Sequence, residues 1–240
     1  MLWNAHWAVQ TDLKNAEQKR YHEEAKATIN TVFGASPDYK IIHQWTTSLL
    51  AKATIKIAQD NIPNNDADTK DTMAVTDPQD HRIYIFELYH RDKVRGQSMT
   101  DVARARILLH ELMHSVSYAY DWWTMDADGN VNFVVAEKVN KHLAARAKAK
   151  QQRNVPLTED EKRDVITTPL INGYWHSTYQ ALKEAASHKM HMNADTWAVF
   201  GYYSLYRKLP TPAGADPSCF VWSRPESFKS NVEALSRSPY

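Results

Sequence analysis

Residues 103–114 read ARARILLHELMH, and this stretch decides the fold. Ile107, Leu108, Leu109, Leu112 and Met113 follow one another too densely for a solvated strand and predict a deeply buried helix. Ser98-x-x-Asp101 resembles a capping box that would open it. On such a helix His110 and His114, four residues apart, stand one turn above each other, where two imidazoles can share one ion. Glu111 completes the pattern HExxH. A bound ion would acidify a water molecule and polarise a scissile carbonyl, and the carboxylate would carry the proton to the leaving amine.

Working outward, Thr72–Thr76 and His81–Tyr89 read as strands, the second apolar on both parities. The run 61–71, rich in Asn, Asp and Pro, is a loop. Helices are predicted over 11–33, opened by Thr11-Asp12, and over 39–59. Beyond the motif, 126–130 (DADGN) is a turn without the spacing of a calcium loop, 132–151 a helix and 148–163 a charged connector. Further helices are expected over 173–190 and 194–208, before an irregular tail. Only six glycines in 240 residues argue against many tight hairpins. The fold class is therefore α+β, mostly helical, with a small sheet next to the HExxH helix. The chain reads as a single domain over 1–240: N-terminal helices to 60, sheet and active-site helix over 72–120, an insertion over 121–170, and C-terminal helices and tail from 171.

Leu, Ile, Val and Phe make up about one fifth of the chain, but 8 Trp and 12 Tyr add to the core. A balance of 29 basic and 28 acidic side chains gives no field for a polyphosphate, so nucleic acid is set aside. No window approaches the ~18 apolar residues of a membrane span, and MLWNAHWAVQTDLK at the start lacks the pattern of a signal peptide. Cys219, the only cysteine, can form neither an internal disulfide nor a Cys-rich metal site. Cytoplasmic residence and secretion without disulfides both fit.

A catalytic zinc needs a third protein ligand. The residues after His114, SVSYAYDWW, contain neither the Gly nor the His of HExxHxxGxxH. Asp121 is the nearest carboxylate, but on a straight helix it would lie about 10.5 Å along the axis from His114. It serves only if the chain turns back near Tyr118, where no Gly or Pro forces a turn. Glu137, on a separate helix, is the alternative. His188 and His191 read as helix-end histidines rather than as a second metal site.

Three segments together resemble the aspzincins, the deuterolysin and peptidyl-Lys metalloendopeptidase family. They are IYIFELYH (83–90) leading into the HExxH helix, Gly173-Tyr174-Trp175 with its following helix, and Asn193-Ala194-Asp195-Thr196-Trp197. The resemblance, over roughly 80–202, implies a zincin-like fold and a secreted zinc endopeptidase acting on protein or peptide. His110 and His114 would bind one Zn2+ per chain, Glu111 would be the general base, and Tyr174 would donate to the oxyanion. Asp195 would contact substrate, although the second acid of the lysine-reading pair is Ala198 here. Where the family has its ligand Asp stands Ile171, so Asp121, Glu137, Asp164, Asn172 and His176 are the replacements to consider. Ile171 also motivates an alternative, a catalytically inactive zincin-like interaction module. In either case the expectation is a monomer.

Overall fold

The computed structural model describes residues 1–52, 57–58, 72–77, 81–94, 97–117, 119, 149–150, 152–156, 176–212 and 220–222. The first helix, α1 (Leu2–Ala8), was not expected from sequence; it lies across the next two helices and buries Asn4, Ala5 and Ala8. Helix α2 (Ala16–Phe33) buries Ala25, Thr28, Ile29, Val32 and Phe33, the spacing of one helical face. Its cap is Asn15, whose side chain accepts from the Gln18 N–H while the Gln18 side-chain Oε1 accepts from the Lys14 N–H. The Thr11-Asp12 start is thereby moved four residues downstream.

At the end of α2, Gly34 has φ 97°, and a Cβ there would come within 2.5 Å of Ser187 Cβ and 2.6 Å of the Lys183 carbonyl. Only glycine lets the chain leave α2 flush against the C-terminal helices. Helix α3 (Tyr39–Lys52) begins behind Asp38, which accepts from the Lys40 and Ile41 N–H groups. It stops short of the predicted 59, because Ile57–Ala58 form a strand, β1.

Strands β2 (Ala74–Thr76) and β3 (Ile83–Ile85) fall within the two segments read as strands, both shortened and the second the more so. After Ile85 the chain closes into a helical turn, α4 (Glu87–His90), in which Tyr89 N–H returns to the Phe86 carbonyl. The sheet order is β1-β3-β2, with β1 parallel and β2 antiparallel to β3. A hairpin of β4 (Lys93–Val94) and β5 (Gln97–Ser98) then leads into α5 (Asp101–Ser117), the HExxH helix. The cap of α5 is Thr100 rather than Ser98: its hydroxyl accepts from Ala103 N–H and donates to the Trp222 carbonyl.

Helix α6 (His176–Ala185), a 3-10 turn (Ser187–Met192), α7 (Ala194–Tyr206) and the hairpin of β6 (Thr211–Pro212) with β7 (Phe220–Val221) complete the described chain. The single helix predicted over 173–190 thus breaks at Ala186. Helix α7 is buried almost all round, as its aromatic sequence requires. Trp197 meets Phe33 and Phe200 edge-on and stacks on Trp45, with Tyr179 and Leu182 of α6 in the same core. Each such side chain contributes roughly 1.5–3 kcal/mol by burial.

Helix α5 runs between this core and the sheet, where Ile107 packs with Ile83, Ile85 and Tyr89. Opposite, α7 approaches α5 so closely that a Cβ on Gly201 would sit 2.6 Å from Leu109 Cδ2. The architecture is α+β and mostly helical, with small sheets. Among the described residues no helix is long and apolar enough to cross a membrane. The turn at 126–130 and the helix expected from 132 lie outside the described residues up to 148.

Candidate metal centre

The α5 backbone brings His110 and His114 together as the four-residue spacing requires. Their Nε2 atoms are 3.0 Å apart and their rings meet at 85°, with centroids 4.7 Å apart. His110 is buried and His114 half-buried.

What each ring does with its other nitrogen sets the chemistry of this pair. His114 Nδ1 is hydrogen-bonded to the Ala119 carbonyl, an acceptor only, so Nδ1 carries the proton. His110 Nδ1 lies 3.3 Å from Asp195 Oδ1, which also accepts a 2.7 Å hydrogen bond from Arg106 Nη2. That approach places a carboxylate acceptor beside His110 Nδ1 at ion-pair distance, without the geometry of a hydrogen bond. With its proton on Nδ1, His114 offers an Nε2 lone pair toward His110 Nε2, which in one tautomer donates to it and in the other offers a second lone pair to an ion.

The spacing suits a metal ion. Two imidazole nitrogens at about 2.0–2.1 Å from a tetrahedral zinc are roughly 3.3–3.4 Å apart, a few tenths of an ångström more than here. Among the described residues no group of three or more metal-binding side chains converges. Of the third-ligand candidates, Asp121, Glu137, Asp164 and Asn172 lie outside the described residues, as does Tyr174. His176 is at the start of α6 with its ring edge-on to Phe220, and it does not join the two histidines.

Helix α5 ends at Ser117, and Ala119 N–H turns back to the Met113 carbonyl, so the helix does not run straight on. The Ala119 carbonyl is also the group that orients His114.

Glu111 projects from α5 toward the sheet. Thr76 Oγ1, on β2, donates to Glu111 Oε2 at 2.8 Å and to its backbone carbonyl at 2.9 Å. The other carboxylate oxygen, Oε1, lies 4.0 Å from His110 Nε2. One oxygen is thus anchored and the other faces the histidine.

Asp195 sits in the first turn of α7, two residues after the N-cap position Asn193, and its side chain is only 2% exposed. Its Oδ1 lies beside Arg106 and His110. Sequence reading missed Thr76, Arg106 and the Ala119 carbonyl. Arg106 carried a signal: it stands four residues before His110, as His110 stands before His114, so a charge shares the histidine face of an apolar helix. No family model, curated protein or solved structure matches this chain.

Proposed function

We propose that this chain is a zinc-dependent endopeptidase, a divergent member of the aspzincin family with a zincin-like fold. The observation that carries the reading is the HExxH pair itself: His110 and His114 set their Nε2 atoms 3.0 Å apart, with Glu111 Oε1 4.0 Å from His110 Nε2. His110 and His114 would hold the ion, with Asp121 as the third ligand. When bound, Zn2+ supplies Lewis acidity, which lowers the pKa of water and polarises a carbonyl. Glu111 takes a proton at Oε1 and delivers it to the leaving amine, while Thr76 fixes Oε2 so that the carboxylate keeps one orientation. Tyr174 would donate to the developing oxyanion. A secreted monomer acting on protein or peptide fits the same proposal.

Elemental analysis should find one zinc per chain, and casein cleavage should disappear on chelation. Glu111→Gln should keep the zinc and lower proteolysis ~100-fold or more, because it removes a proton carrier and no ligand. His110→Ala should lose both. Ile171, at the family's ligand position, favours a second reading, an inactive interaction module. A folded chain that takes up no zinc and cleaves nothing would establish that one.

A further inference from the structure

The function of Asp195 is open in a specific way. A carboxylate that reads a substrate lysine must offer an oxygen to the outside, yet this side chain is 2% exposed and its Oδ1 is shared by Arg106 and His110. A buried ion pair is costly to desolvate and leaves an uncompensated charge if one partner is lost, so its place beside a histidine calls for a role. Arg106 is itself held on its far side: the guanidinium lies over the Trp222 ring, 5.1 Å from the centroid. Trp222 follows β7, and its carbonyl takes the Thr100 hydroxyl at the start of α5. The chain of contacts runs from the C-terminal strand through Trp222, Arg106 and Asp195 to His110 Nδ1.

We infer that Asp195 and Arg106 are positioning residues for His110, fixing its ring and its Nδ1–H tautomer so that Nε2 stays bare, and that they do not read the substrate. This rests on the zinc reading above for its purpose. The tautomer itself is a property of the metal-free chain. Outer carboxylates of this kind raise ligand basicity, and their loss typically weakens metal binding ~10–100-fold. Arg106 keeps Asp195 aimed, and Trp222 keeps Arg106 aimed.

The test compares the full chain with Asp195→Asn and Arg106→Gln by two measurements. Nitrogen-15 NMR of the metal-free proteins should show His110 as the Nδ1–H tautomer in the parent and a substantial Nε2–H population in both variants. Zinc affinity, by competition with a chelator, should fall ~10–100-fold in Asp195→Asn and in the same direction in Arg106→Gln. Should Asp195→Asn fail to fold, Arg106→Gln carries the test, since that side chain is 20% exposed. If the parent binds zinc and the variants bind it equally well with an unchanged tautomer, the positioning role is overturned and the zinc reading survives. If the parent binds no zinc while the tautomer still depends on Asp195, the zinc reading falls and the positioning role stands.

Discussion

The two sides of α5 are packed to different depths. On the helical side, Trp197, Phe33, Phe200, Tyr179 and Leu182 are fully enclosed and α7 closes over them. On the sheet side, strands of two or three residues present Ile83, Ile85 and Ala74 to Ile107. The candidate site straddles this seam. His110 is backed by α7 through Asp195, whereas Glu111 is held by one hydroxyl from β2, at the edge of the described sheet. In the zinc reading, the nitrogens that would hold the ion rest on the more deeply packed half and the carboxylate that would carry the proton on the lighter one.

The largest effect that would test this asymmetry is in the helical core. Trp197→Ala should cost about 3–5 kcal/mol in denaturant unfolding, with a cavity between α2, α3 and α7. Acid should act on the same half. Burial against Trp45 and Trp197 lowers the His191 pKa to about 4, with Lys189 and His188 acting in the same direction and Asp38 against it. A folded pKa below the unfolded 6.5 means that the unfolded chain takes up the proton first. The stability is complete above pH 6.5 and lost as the pH falls toward 4, on the order of 3 kcal/mol between pH 7 and 4. His191→Gln should flatten that slope; an equal slope in both proteins would assign the acid sensitivity elsewhere.

On the sheet side the effects should be smaller. Thr76→Val keeps the shape and removes the hydroxyl on Glu111, so proteolysis should fall by ~10-fold, about 1.4 kcal/mol, at unchanged zinc affinity. A parallel loss of zinc would mean that the two halves of the site are not independent. Ile83→Val, at the centre of the three-stranded sheet, should cost only about 0.5–1.5 kcal/mol. A cost comparable to Trp197→Ala would erase the contrast.

What could be read from the sequence follows from how local the signal was. The helix carrying HExxH and the strands before it have their periodicity within a dozen residues, and they were legible. Strand β3 was overread because 86–89 keeps apolar residues on one parity while the backbone already turns at Phe86. Helix α1 was missed because LWNAHWA is short and its aromatics gain their stability from Trp3 and Trp7 meeting Tyr21, a contact between helices. Strand β1 was hidden inside an apparently continuous helix because two residues carry no period. The Arg106–Asp195 pair spans 89 positions, so no window contained both partners; Asp195 was visible only as a carboxylate of uncertain use. Thr76 was legible as a strand residue, and its hold on Glu111, 35 positions away, was not.

The hydrogen bond from Thr100 to the Trp222 carbonyl has a consequence for the order in which a ribosome delivers this protein. The two groups are 122 residues apart, so the N-terminal end of α5 emerges well before the strand that completes its cap. At ~5–20 residues per second, roughly 6–25 s separate them. Once His114 is made, early in that interval, both histidines are present while Trp222, whose ring lies against Arg106, is not yet made. The nascent chain therefore carries HExxH without these contacts, and in the zinc reading metal capture in the mature geometry would wait until translation has passed Trp222.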